Sequence, residues 1–214
     1  MTVSDASPRV LITDDHAVVR HGIRQILAEE FGSADFGEAG SGAELARRLA
    51  ADAWDVLILD ISLPDRNGLD LLKDVRQTYP RLPVLMVSVH PEEAYAVRAL
   101  KAGAAGYLTK DAAPQELVVA VRKILAGGRY VTSSLAERLA AMLDHDDRPV
   151  HERLSDREYQ VLCRIGAGRT ISEIGEELKL SVKTVSTYRA RLLEKLGLST
   201  TAELTRFAIE NRLM

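Results

Sequence analysis

A single cysteine, Cys163, stands among the 214 residues, so no disulfide can form within the chain, which fits a reducing compartment. No apolar run is long enough to span a bilayer. The opening residues, MTVSDASPR, lack the basic stretch and following apolar run of an export leader. A protein that is neither exported nor membrane-inserted is therefore expected, with a cytoplasmic location. Basic charge is not in excess either: 28 Lys and Arg against 31 Asp and Glu give a net charge of -3. That excludes a uniformly basic coat for nucleic acid. From Val150 onward 11 basic residues face 9 acidic ones, leaving +2 there and -5 in the remainder. So small a difference makes the placement of charge on individual helices the deciding question. Gly40-Ser41-Gly42 lacks the later glycine of GxGxxG and the Gly-Lys-Ser/Thr of a phosphate loop, and reads as a turn into a helix.

What is present suits an ordinary globular protein, 46% hydrophobic and 28% charged. The length favours two domains. Over residues 9–126 strands and helices alternate. Val10 to Thr13 is an apolar strand ending in Asp14 and Asp15, and Val18, Val19, Ile23, Ile26 and Leu27 follow at helical spacing. Ala34 to Glu38 is a second strand, and Leu45 and Leu49 mark a second helix. The consecutive apolar residues Val56, Leu57, Ile58 and Leu59 predict a strand covered on both faces. It ends on Asp60 before Pro64, Asn67 and Gly68 open a third helix. Val84 to Val87 and Gly106 to Leu108 are further strands, with helices through Val97 and Leu100 and from Pro114 to Leu125. Five such units predict a doubly wound five-stranded parallel α/β sheet.

In that topology the carboxyl ends of the strands converge on a ligand crevice. Asp14 and Asp15, Asp60, Ser88 and Lys110 all stand at those ends. Crowded carboxylates repel, so one is protonated or a cation joins them. Their oxygens suit Mg²⁺. Asp60 can carry a phosphoryl group as an aspartyl phosphate, with Lys110 neutralising charge and Ser88 donating a hydrogen bond. His16 and His90 read as loop or cap residues.

The contexts LITDDH, LILDISLPDRNG, VLMVSVH and GAAGYLTKD resemble the receiver domain of two-component response regulators, a flavodoxin-like fold. The resemblance implies that Asp60 accepts phosphate from a histidine kinase, and that Asp14 and Asp15 hold Mg²⁺ with Asp60 and the backbone carbonyl of Ser62. It also implies that Lys110 contacts the phosphate and that Ser88 and Tyr107 rearrange together. Lys110 precedes Asp111 rather than proline, so a cis-proline turn is not expected. Aspartate-nucleophile phosphohydrolases also place an Asp after an apolar strand. Their second, acidic Asp is replaced here by Ser62, which disfavours an enzyme that turns over substrate.

Gly127-Gly128 ends the fifth helix. A short amphipathic helix through Leu135, Leu139 and Met142 precedes the polar LDHDDRPVHER, in which His145 and His151 read as solvated linker residues. From Leu154 the pattern is helical. Ser155 and Glu158 have capping-box spacing, Thr170 and Ser181 start further helices, and Gly197 ends the third. Val185, Leu192, Leu193 and Leu196 supply that helix's buried stripe, leaving a small polar and basic face suited to a DNA major groove. LSDRE and GRTISEIGEELKLSVKTVSTYRARLLEKLGL resemble the LuxR-type helix-turn-helix domain, and the whole chain resembles the NarL/FixJ family of transcriptional regulators. The boundaries expected are a receiver over 1–126, a linker with a short helix over 127–153, and an all-α four-helix domain over 154–214. By this resemblance Ser186, Thr187 and Ala190 face base edges, while Lys183, Tyr188, Arg191 and Lys195 meet phosphates. Tyr188 stands where many members have His, and Gly175 where Ala is common, so base preference does not carry over. A homodimer, through the last helix or on phosphorylation, is implied.

Overall fold

A computed structural model describes residues 7–144, 154–211 and 213. His145 and His151 lie outside them, as do the first six residues. The chain divides into two compact units, Met1–Thr132 and Ser133–Met214. The division falls six residues beyond the boundary that the Gly127-Gly128 pair suggests.

The first unit alternates β1 (Arg9–Thr13), α1 (Ala17–Phe31), β2 (Asp35–Ala39), α2 (Gly42–Ala51), β3 (Val56–Leu59), α3 (Gly68–Thr78), β4 (Val84–Ser88), α4 (Glu92–Lys101), β5 (Gly106–Thr109) and α5 (Pro114–Leu125). All strand pairs are parallel, in the order β2-β1-β3-β4-β5. Side chains alternate across a strand. Val10, Ile12, Val56, Ile58, Leu85, Val87 and Leu108 accordingly join one cluster with Ile23 and Leu27 of α1 and Leu117, Val121 and Ile124 of α5. Leu11, Leu57, Leu59 and Met86, one residue out of step, are buried as well. Covering on both faces explains why β3 is apolar without alternation. β2 is displaced from its expected span by one residue, and β1, β4 and β5 each run one residue longer than expected.

The strand order reverses beside β1. The chain runs out to β2 and returns through α2 to β3 on the other side. The crevice created by that reversal lies at the carboxyl ends of β1 and β3.

Two features fix the loop after β3. Asp65 accepts from the N–H groups of Gly42 and Ala43, each at 2.8 Å, and so occupies the start of α2. Burial works to raise its carboxyl, but these donors outweigh it and hold the group below its ordinary value. With Ser41 accepting from Glu44 N–H, Gly40-Ser41-Gly42 is a helix start whose anion is supplied by the chain itself. Gly68 meets a tighter limit. A Cβ there would stand 2.0 Å from the Asp60 carbonyl oxygen and 2.7 Å from Ile61 Cα, and backbone cannot yield as a side chain can. Gly68→Ala is expected to cost about 1–3 kcal/mol in urea unfolding and to displace Asp60.

The second unit contains α6 (Ser133–Asp144), α7 (Asp156–Gly166), α8 (Ile171–Leu178), α9 (Val182–Leu196) and α10 (Thr201–Glu210). α7 packs on α9 and α10, and α8 on α9. Ser155, Thr170 and Thr200 each form a full capping box, with Glu158, Glu173 and Glu203. Ser181 accepts from Thr184 N–H at the start of α9, and Gly197 ends it in the left-handed conformation. In α9 Val185 and Leu192 are buried, while Leu193 and Leu196 are only half-buried. Between α8 and α9 Lys179 turns left-handed, at φ 53°, and Leu180 N–H donates to Gly175 O at 2.8 Å. A Cβ at 175 would lie 2.9 Å from the Leu180 carbonyl oxygen. The close approach that Gly175 permits is therefore to the turn itself.

Candidate functional site

Register brings the acids together. Thr13 of β1 is level with Leu59 of β3, so Asp14 and Asp60 leave the sheet side by side, Asp60 N–H donating to Thr13 O at 2.9 Å. Both are about 2% exposed. From the far side of β4, Lys110 N–H donates to Ser88 O. Its ammonium then reaches Asp14 Oδ2 at 2.6 Å and Asp60 Oδ2 at 2.8 Å. Asp15 is more exposed. His16 Nδ1 lies 2.7 Å from Asp15 Oδ1 and 3.3 Å from Asp14 Oδ1, and His16 N–H donates to Asp14 Oδ1.

Burial pushes the Asp60 carboxyl above its ordinary value, and Lys110 and the Ser62 N–H only partly counter it. The Lys110 ammonium is lowered by burial, but hydrogen bonds to Asp14 and Asp60 outweigh that and raise it. Asp60 Oδ1 is buried and receives no hydrogen bond. Leaving an anionic oxygen without a donor is costly. Next to Asp60, the carboxylate oxygens of Asp14 and Asp15 lie within 4.8 Å of one another and of a His16 ring nitrogen, and the carboxylates are hard oxygen donors. Such a site fits a small divalent cation, and Mg²⁺ in particular.

Ser88 and Tyr107 are both fully buried, and they meet at one residue. His90 N–H donates to Ser88 Oγ at 3.3 Å, while Tyr107 Oη donates to the His90 carbonyl at 2.8 Å. The His90 ring pairs Nε2 with Ser62 Oγ at 3.2 Å and stacks on Tyr95 of α4, centroids 4.5 Å apart. His90 is thus more than a loop or cap residue. No sequence signal marked it, because His90 lies past the end of β4, where the strand period no longer applies.

On α9, Lys183, Ser186, Thr187, Ala190 and Arg191 are exposed or half-buried, and Tyr188 is half-buried. Lys195 is placed otherwise. Its ammonium lies 2.7 Å from Oε2 of Glu158, a buried residue that also accepts from Ser155 N–H and Oγ. Burial would raise this carboxyl, but Lys195 and Ser155 together hold it below its ordinary value. Lys195 therefore ties α9 to the start of α7. Arg189 Nε is similarly engaged, with Thr201 Oγ1 of α10 at 2.7 Å. Val182, at the first position of α9, is 52% exposed and apolar, a residue that the helical pattern does not single out.

Residues 10–122 match the response regulator receiver domain, and residues 152–208 match the bacterial regulatory proteins of the luxR family. Response regulator UvrY of Escherichia coli strain K12 is 38% identical over 206 residues, covering 95% of this chain and 94% of that protein. Response regulator GacA of Pseudomonas viridiflava is 37% identical over 205 residues, covering 95% and 96%. The chain belongs to the NarL/FixJ family of response regulators. Among solved structures, RcsB from Salmonella enterica serovar Typhimurium, bound to promoter rprA with a beryllium fluoride phosphomimetic, superposes with a TM-score of 0.66 at 28% identity. It covers 94% of this chain and 98% of that one.

As a response regulator the chain joins a receiver to a LuxR-type DNA-binding domain and acts in phosphorylation-dependent control of transcription; it is not a classical enzyme. The structure brings Asp14, Asp15, Asp60 and Lys110 to one point of the receiver, with Ser62, Ser88 and Tyr107 joined to it through His90. Peptide bonds are trans throughout the described residues, Lys110-Asp111 included. None of the described helices is long and apolar enough to cross a membrane.

Proposed function

We propose that Asp60 is the phosphoacceptor of this regulator. One carboxylate oxygen attacks the phosphorus of a phosphohistidine on a cognate histidine kinase; the P–O bond forms as the P–N bond breaks, and the electron pair passes to the imidazole nitrogen. The observation that carries the reading is the buried Asp60 carboxylate bridged to Asp14 by the Lys110 ammonium, with Oδ1 left without a donor. Mg²⁺ held by Asp14, Asp15, Asp60 and the Ser62 carbonyl would offset charge on the phosphoryl oxygens. Lys110 stays charged throughout because the acids hold its pKa up. Ser88 Oγ accepts from His90 N–H, which leaves its own proton to donate to a phosphoryl oxygen. Ser62 offers no acid to activate water, so self-dephosphorylation is slow.

Residues 1–126 act as the receiver, 127–153 as the connection and 154–214 as the DNA-binding part, in the cytoplasm. Phosphorylation favours a homodimer on inverted-repeat DNA. Ser186, Thr187 and Ala190 read base edges, and Val182 adds apolar contact for a thymine methyl. Lys183, Tyr188 and Arg191 meet phosphates, and Lys195 approaches the backbone from its pairing with Glu158. The test is acid-labile phosphate on Asp60 after incubation with an acyl-phosphate donor and Mg²⁺, with solution mass and affinity for captured genomic DNA measured beside it. No phosphate and no change in either would sink the reading.

The two kinds of DNA contact separate experimentally. Arg191→Ala is expected to weaken binding to all sequences alike and to reduce the slope of log affinity against log salt by about 0.9. Ser186→Ala or Thr187→Ala is expected to relax discrimination at single base pairs, by less than the roughly 1–3 kcal/mol of a bidentate pair, because a hydroxyl makes a single-atom contact. Binding isotherms at several salt concentrations, on specific and scrambled duplexes, measure both.

A further inference from the structure

The chain does not leave the receiver at Gly127-Gly128. Tyr130 lies parallel to Gly106 at the start of β5, its N–H donating to Ala105 O at 2.8 Å, and it packs against the hydrophobic core. A Cβ at Gly106 would stand 3.0 Å from the Tyr130 carbonyl oxygen, so the missing side chain at 106 is what admits this extra segment at the sheet edge. Two residues on, Thr132 Oγ1 donates to Glu92 Oε1 at 2.7 Å. Thr132 is the last residue of the first compact unit, and Glu92 is the first of α4.

Only Pro91 separates Glu92 from His90. Its ring fixes φ, here at -57°, which removes one backbone torsion from the short link between His90 and the first turn of α4. His90 in turn touches four residues around the phosphoacceptor site: Ser62 and Tyr95 by its ring, Ser88 and Tyr107 by its backbone. A movement of Ser88 toward a group on Asp60 draws on its bond to His90 N–H, at 3.3 Å, and so acts on that residue.

We propose that the Glu92–Thr132 hydrogen bond is a latch that holds residues 130–132 on the receiver, and that phosphorylation opens it by shifting His90 and the start of α4. The switching rests on Asp60 being the phosphoacceptor. Release would lengthen the connection to the second unit by up to about 3.3–3.6 Å per freed residue, changing the effective concentration of one unit at the other.

The experiment is amide hydrogen exchange in the full chain, with and without Mg²⁺ and beryllium fluoride, beside phosphate-affinity electrophoresis after treatment with an acyl-phosphate donor. In the untreated protein the Tyr130 amide is expected to exchange slowly, and roughly tenfold faster on activation, as for a local opening. The Lys110 amide, bonded to Ser88 O within the sheet, serves as the internal control and stays slow. Thr132→Val and Glu92→Ala are expected to exchange fast at Tyr130 in both states. Glu92→Gln, which keeps an acceptor, retains the slow exchange of the parent. A phosphorylated protein with unchanged Tyr130 exchange would overturn the switching. Slow exchange in Thr132→Val would overturn the latch itself. Absence of an electrophoretic shift in the parent would overturn the assignment of Asp60 and the switching with it, while the Thr132→Val comparison still decides the fastening.

Discussion

Asp60→Asn is expected to take up no phosphoryl group from any donor and to bind DNA with one affinity whether or not an acyl phosphate and Mg²⁺ are supplied. Asparagine keeps the shape of aspartate and an oxygen that can accept from Lys110, but its amide is no nucleophile towards phosphorus. The expected loss is therefore complete for phosphorylation. In DNA binding it removes the phosphorylation-dependent difference, typically about 5–150-fold for a coupled site. Stability should not fall with it. Burial holds the native carboxyl above its ordinary value, so the folded state disfavours the charge at that position, and a neutral isostere relieves the penalty. Thermal unfolding of the variant at neutral pH is expected at or above the temperature of the parent. A variant that unfolds earlier would mean that lost phosphorylation reports a damaged fold. Unchanged gene control by Asp60→Asn would point to a receiver that works through protein contacts alone.

Lys110→Ala is expected to be the most destabilising single change at this site, at about 3–5 kcal/mol. The Lys110 side chain is 11% exposed and makes both short contacts to the buried acids. Removing it leaves two adjacent buried carboxylates without the ammonium that bridges them, and Asp60 then favours its protonated form more strongly. The direction with pH follows from linkage. In the parent, burial already raises the Asp60 carboxyl despite Lys110, and without the lysine its folded-state pKa rises further above the unfolded value. The folded state then binds more protons than the unfolded one. Stability of the variant is greatest below the ordinary carboxylate pKa and is lost as pH rises from there through the raised folded value. Urea unfolding of parent and variant across pH 4 to 8 should show their curves diverging as pH rises. Mg²⁺ should restore part of the difference, because a cation at the acids takes over the lost compensation.

Much of this architecture was legible in the residues. The unbroken apolar run of β3 announced a strand covered on both sides, and the packing of the sheet against α1 and α5 is its counterpart in space. Ser155 and Glu158, three apart, announced a capping box that the structure contains in full. In these cases cause and effect lie within one turn or one strand, so spacing is enough to reveal them. His90 was not legible in the same way. Its partners, Ser62, Ser88, Tyr95 and Tyr107, come from four separate segments, and a lone histidine in a loop carries no periodic signal. Lys195 has the look of a basic residue on a DNA-facing helix, and pairing across 37 positions with buried Glu158 is what gives it a second job. Tyr130 and Thr132 follow a glycine pair that reads as the end of a domain, yet they rest on β5 and α4.

By itself, the amino-acid sequence determined the order of strands and helices, the position of Asp60 at a strand end, and the family to which the chain belongs. Hydrophobic period, capping spacing and turn residues are local, and the acids and the lysine fall in a recognisable order. Tertiary structure alone decided the rest. The register of β1 against β3 places Asp14 beside Asp60, and Gly68 lets α3 start against the Asp60 backbone. His90 joins the two hydroxyls, and Thr132 is bonded to α4. Most of these depend on distances between segments far apart in the chain, set by packing of the whole sheet, and the Gly68 contact depends on how the loop after β3 folds back on itself.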